Sequence, residues 1–228
     1  MSDLPQHIGF IVDGNRRWAK SRSLPAHEGH RAGYHTLKTT LLETINRGVP
    51  YVSAYVFSTE NWKRSEEEVG WLMGLLLRVL KSDAHIFIDN NIRLRVIGGR
   101  DKLSKQVLAA IDQIEQQTEH LTAGTVVLCL NYGGQQEIAD AMKSMMSAGV
   151  NVDDVTPELI SKHLYAPDIP PCDLVVRTSG EQRLSNFMLW RSAYSELMFI
   201  DKTWPDMTND DITAILKEYS SRKRHFGG

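Results

Sequence analysis

Three polar segments of this chain carry side chains suited to binding diphosphate groups. The first, Asp13-Gly14-Asn15-Arg16-Arg17-Trp18, follows a short apolar run. The second, Ser58-Thr59-Glu60-Asn61-Trp62-Lys63-Arg64, follows an apolar run that begins at Tyr51. The third, Arg177-Thr178-Ser179-Gly180-Glu181, has Arg183 and Ser185 close behind it. A carboxylate binds Mg²⁺, and forked guanidinium groups bind phosphate oxygens. The segments therefore predict a site for a magnesium-bridged diphosphate.

Each residue type has a definite task in such a site. Asp13 would hold the metal, the arginines would bind phosphate oxygens, and Gly14 would let the backbone come close to the ligand. His30 and the hydroxyls of Ser58, Thr59 and Ser185 can donate further hydrogen bonds. Taken singly, Arg64, His30 and Glu196 favour solvated or structural positions, because surface charge is common. It is the three segments together that favour a binding site.

The elements between these segments predict how they meet. Apolar runs predict strands over residues 8–12, 51–57, 92–97, 126–130, 174–176 and 196–200. Periodic segments predict helices over residues 29–46, 102–119, 134–146 and 210–223. Thr156 and Pro157 predict the start of another helix. Alternating strands and helices indicate an α/β fold with about six mostly parallel strands flanked by helices. Parallel strands would bring the three polar segments to the carboxyl edge of the sheet, where ligands bind.

One further helix is unusually apolar. Ser65 and Glu68 predict a capping box at its start, and apolar residues continue at helical spacing from Val69 to Phe87. Leu75 and Leu77 extend the apolar stripe over most of the circumference. Such a helix is either buried on two sides or lines a hydrophobic tunnel.

Composition excludes several classes of protein. The net charge of -2 and pI near 6.4 do not favour a nucleic-acid partner. No apolar run is long enough to span a bilayer, and two cysteines without a signal peptide predict a cytoplasmic protein. No linker or repeat is visible, so we expect a single domain over residues 1–228.

Several ordered segments resemble the cis-prenyltransferases, the undecaprenyl diphosphate synthase family, over nearly the whole chain. The resemblance rests on Asp13-Gly14-Asn15-Arg16-Arg17-Trp18, Gly29-His30-Arg31-Ala32-Gly33, Phe57-Ser58-Thr59-Glu60-Asn61-Trp62, Asn131-Tyr132-Gly133-Gly134, Arg177 to Phe187, Trp190 and Ala193-Tyr194-Ser195-Glu196-Leu197. It implies a homodimeric, Mg²⁺-dependent enzyme that condenses isopentenyl diphosphate with an allylic diphosphate primer and makes a cis polyprenyl diphosphate, an undecaprenyl-type lipid carrier precursor. Such a lipid product would favour contact with the inner face of the membrane.

The resemblance also implies roles for individual residues. Asp13 and Asn61 would be catalytic, with Asn61 involved in proton removal, and Asp13 and Glu196 would bind the metal. Gly14 to Arg17 and His30 would hold the allylic diphosphate, and Arg177, Arg183 and Ser185 the isopentenyl diphosphate. The full predicted substrate-binding set is Gly14, Asn15, Arg16, Arg17, Trp18, His30, Ser58, Thr59, Glu60, Trp62, Arg64, Arg177, Arg183, Leu184 and Ser185.

The chain departs from the family pattern at a few positions. Ala26 stands where the family often has an arginine for the allylic diphosphate, and Gln182 stands where some members have histidine. His225-Phe226-Gly227 replaces an Arg-x-Gly motif that reaches the neighbouring subunit's site, so Arg224 or His225 would serve instead. Val56 lies near the tunnel, where small residues favour long products.

These departures leave alternatives open. One is a short-chain or head-to-middle synthase of the same fold, of the lavandulyl type, which joins two dimethylallyl units. Another is a non-catalytic partner subunit, although Asp13, Asn61 and Arg177 are all present. A generic nucleotide-binding protein fits less well, because Gly98-Gly99 and Gly133-Gly134 complete neither a Walker loop nor a dinucleotide fingerprint. The proton acceptor is either a diphosphate oxygen or a relay through Asn61.

Overall fold

A computed structural model describes residues 4–222 of the chain. Its six strands are β1 (His7–Ile11), β2 (Tyr51–Ser58), β3 (Ile92–Ile97), β4 (Gly124–Tyr132), β5 (Leu174–Thr178) and β6 (Glu196–Ile200). Its helices are α1 (Asn15–Ser21), α2 (Ala26–Asn46), α3 (Glu66–Leu77), α4 (Ala84–Asp89), α5 (Lys105–Thr118), α6 (Gly134–Ser147), α7 (Pro157–His163) and α8 (Asn209–Ser221). A π-helical turn, Arg78–Ser82, joins α3 to α4, and 3₁₀ turns cover Thr59–Lys63, Val152–Asp154 and Trp204–Asp206.

All six strands form one parallel sheet in the order β3-β4-β2-β1-β5-β6. This confirms the predicted α/β fold with six parallel strands. In the register of the central strands, Ile11 of β1 lies beside Arg177 of β5. The segments after β1, β2 and β5 therefore emerge at the same edge of the sheet, as predicted.

Helices and loops cover both faces of the sheet. On one face, Phe10, Val52 and Leu128 belong to a core that includes residues of α2, α3, α5 and α8. On the other face, Val127 and Val175 belong to a smaller cluster that includes residues 165–188. Burial of alternate strand residues on opposite faces stabilises the sheet by about 25 cal/mol for each Å² of apolar surface removed from water.

The long predicted helix is not continuous. Its first part is α3, and the π-helical turn separates it from α4. The predicted capping box is also incomplete, because Ser65 Oγ accepts the N–H of Glu68 while the Glu68 carboxylate binds other partners described below. A π-helical turn within a helix frequently marks a functional position.

Other boundaries differ in detail. The structure adds α1, which was not predicted as a separate helix, and starts α2 at Ala26 instead of Gly29. It confirms Thr156 as the cap of α7, with Pro157 in its first turn. The predicted end of the last helix at Lys223, and the residues Arg224 to Gly227, lie outside the described range. No helix among residues 4–222 has the length and apolar character needed to cross a membrane.

Candidate active site

Asp13 lies directly beyond β1 and is held from both sides. Its Oδ1 accepts the N–H of Gly14 at 2.7 Å, and its Oδ2 accepts a hydrogen bond from Arg177 at 2.8 Å. Thr178 Oγ1 donates to the Asp13 carbonyl oxygen at 2.7 Å. Gly14 is needed at this turn because its φ is 105° and a Cβ there would lie 2.8 Å from Ser179 Oγ. The carboxylate is thus fixed in position while its side chain stays 30% exposed.

Arg177 is the buried centre of the third segment, with only 4% of the residue exposed. Besides Asp13, its guanidinium donates to Ser185 Oγ at 2.7 Å and to the Arg183 carbonyl oxygen at 2.5 Å. Ser179 and Ser185 have positive φ, which bends the segment around the guanidinium. The arginine therefore organises its own loop and links that loop to Asp13.

The two exposed arginines near this loop share one acid. Glu181 accepts from Arg17 at 2.9 Å through Oε1 and from Arg183 through Oε2. Arg17 also donates to the Ser179 carbonyl oxygen at 2.7 Å. Glu181 therefore keeps both guanidinium groups beside the loop that follows β5. The sequence did not predict this contact, because residues 17 and 181 are far apart in the chain.

Asn61 makes a reciprocal cap with Ser58 at the end of β2. Its Oδ1 accepts the N–H of Ser58 at 3.0 Å, and the Ser58 side chain accepts the N–H of Asn61. One lone pair of the amide oxygen is therefore used by the backbone, and the NH₂ group can donate to a ligand. An amide is not a base, so this geometry suits Asn61 better as a hydrogen-bond donor than as a proton acceptor.

Other residues of the second segment hold loops together. Trp62 Nε1 donates to Asn131 Oδ1 at 2.7 Å, and Glu60 accepts from Asn186 at 3.0 Å. Burial alone would raise the pKa of Glu60, but hydrogen bonds from Asn186, Ser58 and Thr59 hold that pKa below its usual value. The polar groups of Trp62 and Glu60 are thus used within the protein rather than left for a ligand.

His30 and Arg64 meet at a third acid. Glu68 Oε1 lies 3.2 Å from His30 Nε2 and accepts from Arg64 at 2.8 Å. His30 is 8% exposed, and burial lowers the pKa of its imidazole despite the neighbouring carboxylate. Glu68 was predicted only as a helix cap, so its contact with both His30 and Arg64 is an addition from the structure.

The remaining predicted residues differ in their surroundings. Trp18 donates its indole N–H to Asp206 at 2.8 Å, and Leu184 packs against the smaller apolar cluster. Arg16 is exposed on α1, whereas Asn15 faces α2 so closely that a Cβ on Gly33 would lie 2.1 Å from its Oδ1. Within the described residues, Asn15 Oδ1 has no hydrogen-bond partner although it is buried.

The structure does not bring Glu196 to Asp13 within one chain. Glu196 is level with Leu174 at the start of β5, and Leu174 is level with Ile8 of β1. Asp13 lies five residues further along, or about 16 Å at about 3.3 Å per residue. Glu196 instead accepts from Arg222 at 2.8 Å. Its role as a metal ligand remains a prediction that this arrangement does not support.

The donor set around Asp13 suits a particular kind of metal binding. Among residues 4–222 no group of three or more His, Cys, Asp or Glu side chains could enclose a metal ion. Mg²⁺ commonly uses one or two carboxylates together with substrate phosphates and water. Asp13 fits that pattern, since it is a single, partly exposed carboxylate beside arginine side chains.

Seven of the predicted residues line one polar cleft, which we define by Asp13, Asn61, Arg64, Arg177 and Ser185 and which Ser58 and Glu60 also line. It adjoins an apolar cavity of about 140 Å³ between α2, α3 and the sheet. The cavity is lined by Val12, Asn15, His30, Gly33, Tyr34, Leu37, Tyr55, Val56, Phe57, Asn61, Arg64, Leu72, Met73, Leu75, Leu76, Val79, Leu128, Leu130 and Trp204. Val12, Tyr55, Asn61 and Arg64 line both spaces. The arrangement suits a ligand with a charged head and an apolar tail.

This fold and site define an α/β protein whose polar cleft adjoins an apolar cavity. Residues 11–227 match the family model described as "Putative undecaprenyl diphosphate synthase". The chain belongs to this family, the cis-prenyltransferases, and is a prenyltransferase that acts on isoprenoid diphosphates.

Relatives and solved structures agree with this assignment. The chain is 42% identical to an isoprenyl transferase of Thermotoga maritima, over 99% of this chain and 97% of that protein. It is 43% identical to the Thermobifida fusca trans,polycis-polyprenyl diphosphate synthase ((2Z,6E)-farnesyl diphosphate specific), over 99% of this chain and 81% of that protein.

Two solved structures match this chain over almost the full length of both proteins. Lavandulyl diphosphate synthase from Lavandula x intermedia, in complex with dimethylallyl diphosphate, superposes with a TM-score of 0.94 at 30% identity, covering 99% of each chain. A probable undecaprenyl diphosphate synthase from Campylobacter jejuni superposes with a TM-score of 0.84 at 31% identity, covering 100% of each chain.

Proposed function

We propose that the protein condenses isopentenyl diphosphate with an allylic diphosphate primer in cis geometry and releases a polyprenyl diphosphate, a precursor of an undecaprenyl-type lipid carrier. The observation that carries the proposal is the direct junction of the polar cleft with the apolar cavity. A growing chain needs both, because its diphosphate head stays at the reacting end while its hydrocarbon tail lengthens away from water.

The two substrates are assigned to two sides of the cleft. Gly14 to Arg17 and His30 would bind the allylic diphosphate, and Arg177, Arg183 and Ser185 would bind the isopentenyl diphosphate. Ser185 Oγ accepts from Arg177 at 2.7 Å, which positions the hydroxyl and leaves its hydrogen to donate to an anion. Asp13 would hold Mg²⁺, which when bound stabilises the negative charge of the departing diphosphate.

The chain supplies orientation and charge stabilisation for the reaction. The carbon–oxygen bond of the allylic diphosphate breaks, and the double bond of isopentenyl diphosphate attacks the allylic carbon. A proton then leaves C2 of the isopentenyl unit. Arginine side chains stabilise the leaving group, and the cavity excludes water from the reactive carbon. Because an amide is not a base and Asn61 Oδ1 already accepts the Ser58 N–H, we assign proton acceptance to a diphosphate oxygen and a donor role to the Asn61 NH₂ group.

A short-chain or head-to-middle reaction of the lavandulyl type is the second candidate. The observation that favours it is the higher TM-score to lavandulyl diphosphate synthase, 0.94 against 0.84. Incubation with labelled isopentenyl diphosphate plus dimethylallyl, geranyl or farnesyl diphosphate separates the candidates by product length. A non-catalytic partner role would show as no incorporation with any primer, and the assembled cleft argues against it.

Replacement of Asp13 tests the catalytic assignment. Asp13→Ala should lower turnover at least 1,000-fold, about 4 kcal/mol in transition-state stabilisation, while circular dichroism shows a folded protein. Asp168→Ala removes an acid that pairs with Arg93 outside the cleft and serves as the matched control. Near-normal turnover by Asp13→Ala would refute the assignment.

We further propose that the enzyme is a cytoplasmic homodimer. Met142, Met146 and Tyr194 are 53%, 77% and 85% exposed, and such side chains are typical of protein contacts. The buried free thiols of Cys129 and Cys172 fit a reducing compartment. Light scattering after size exclusion should give twice the mass of the chain, and Met146→Lys should lower it. Product release would bring the dimer to the membrane's inner face.

A further inference from the structure

Two polar contacts join α2 to the α3 region, and each includes a residue that lines the apolar cavity, His30 in one and Tyr34 in the other. At the cleft, His30 of α2 meets Glu68 of α3. Further along, Tyr34 and Lys38 of α2 meet Asp83, which follows the π-helical turn after α3. The second contact lies one to two helical turns from His30 along α2, since each residue rises 1.5 Å.

Tyr34 lies inside this second contact and also lines the cavity. Only 6% of the residue is exposed, so its ring is a buried part of the wall. Its hydroxyl donates to the Asp83 carboxylate, and the Lys38 ammonium lies 4.7 Å from the centre of its ring. Lys38 completes the triangle by binding Asp83 at 2.7 Å.

The triangle makes the ring hard to move. Rotating Tyr34 away would break a charge-assisted hydrogen bond and a cation–π contact. A leucine at the same place would have neither restraint and would change rotamer more readily. Tyr34 is therefore a fixed part of the wall between the two helices rather than an adaptable one.

The space available next to Tyr34 is limited. The cavity volume of about 140 Å³ lies below the range of pockets for drug-sized ligands, about 300–1,000 Å³. Leu37 lies one turn beyond Tyr34 on α2, and Val79 lies in the π-helical turn. These two are the lining residues furthest along each helix, whereas Leu41 on the next turn of α2 is 1% exposed and packs in the core.

We propose that Tyr34, fixed by Asp83 and Lys38, is a specificity-determining residue that limits the length of the prenyl chain accommodated in the cavity. The proposal rests on the proposed function, because it assumes that the tail of the substrate occupies this space. It goes beyond that function because it assigns the limit on chain length to the Tyr34 ring and its polar partners, rather than to the apolar residues that line the rest of the wall.

Three variants and a control test the proposal. Tyr34→Ala removes the ring, Tyr34→Phe keeps the ring without its hydroxyl, and Asp83→Asn weakens the anchor while leaving the cavity lining unchanged. Tyr51→Ala makes the same side-chain deletion beside the apolar cluster on the opposite face of the sheet. Labelled isopentenyl diphosphate and farnesyl diphosphate are supplied, and product lengths are measured by chromatography.

We expect Tyr34→Ala to make products at least one isoprene unit longer than those of the wild type, and Tyr34→Phe and Asp83→Asn to give broader distributions. Tyr51→Ala should match the wild type. An unchanged product length in Tyr34→Ala, with the wild type active, would overturn the proposal and leave the proposed function intact.

A binding measurement keeps the test independent of turnover. Affinities for dimethylallyl, geranyl, farnesyl and geranylgeranyl diphosphate are measured by calorimetry for each variant. In the wild type, affinity should rise with tail length up to a limiting length and then stop rising. In Tyr34→Ala this limiting length should be greater. The first tail beyond the wild-type limit should bind Tyr34→Ala about tenfold more tightly than it binds the wild type. If the wild type shows no turnover, the proposed function fails. If affinity stops rising at the same tail length in the wild type and in Tyr34→Ala, the role of Tyr34 is overturned.

Discussion

Acidification should destabilise the protein through His7, a fully buried histidine of β1. Its Nε2 lies 2.7 Å from Ser53 Oγ and its Nδ1 lies 2.9 Å from the Pro170 carbonyl oxygen, so the neutral ring is hydrogen-bonded on both sides. Burial lowers the pKa of this imidazole from 6.5 to about 4. The folded protein thus resists protonation at a pH where the unfolded chain accepts it.

The sign and size of the effect follow from this difference in pKa. As the pH falls through 6.5, the unfolded state binds a proton that the native state does not, so the free energy of unfolding decreases. The decrease continues until the pH reaches about 4, where native His7 also becomes protonated. At about 1.4 kcal/mol for each pH unit, the loss across this window is about 3 kcal/mol.

Urea unfolding at several pH values between 7 and 4 measures the effect. His7→Gln removes the titrating ring, so its stability should decline by about 3 kcal/mol less than that of the wild type over this range. His120→Gln changes an exposed histidine and should follow the wild-type curve. Parallel curves for wild type and His7→Gln would refute the reasoning, even if the variant were less stable at every pH.

Two further substitutions probe the buried and exposed acids that join distant segments. Glu137→Gln should lower the free energy of unfolding by about 3–5 kcal/mol. The fully buried Glu137 binds Arg191 and the Tyr132 hydroxyl, and removing its charge leaves a buried arginine unpaired. A loss below 1 kcal/mol in urea unfolding would contradict this. Glu181→Gln should raise the KM for both substrates several-fold with little change in stability, because it releases the guanidinium groups of Arg17 and Arg183. A change in kcat alone would argue against that positioning role.

The sheet and the edge that carries the site were predictable from local patterns. Continuous apolar runs such as residues 8–12 identify buried parallel strands, and the polar segments that follow them mark the ends of those strands. The cap at Thr156 was equally local. Local patterns were not always sufficient, since they missed α1 and predicted one continuous helix where a π-helical turn separates α3 from α4.

Contacts between distant segments were not predictable in this way. The sequence indicated a helix cap at Glu68 and a loop acid at Glu181. In the structure Glu68 joins His30 to Arg64, and Glu181 joins Arg183 to Arg17, which lies 164 residues away in the chain. Asn131 appeared only as part of a family motif, whereas the structure places its side chain against Trp62. The position of Glu196 depended on strand register, which a single sequence does not specify.

The reciprocal contacts among the site loops have a consequence for experiments on this enzyme. Asn186 holds Glu60 through its amide and the backbone of Gln135 through its oxygen, while Trp62 holds Asn131. Three loops from three strands are therefore parts of one cooperative network. Substitutions in different loops should be strongly non-additive, with coupling of about 0.5–3 kcal/mol. The effect of any single residue on turnover will then depend on which of its neighbours is present.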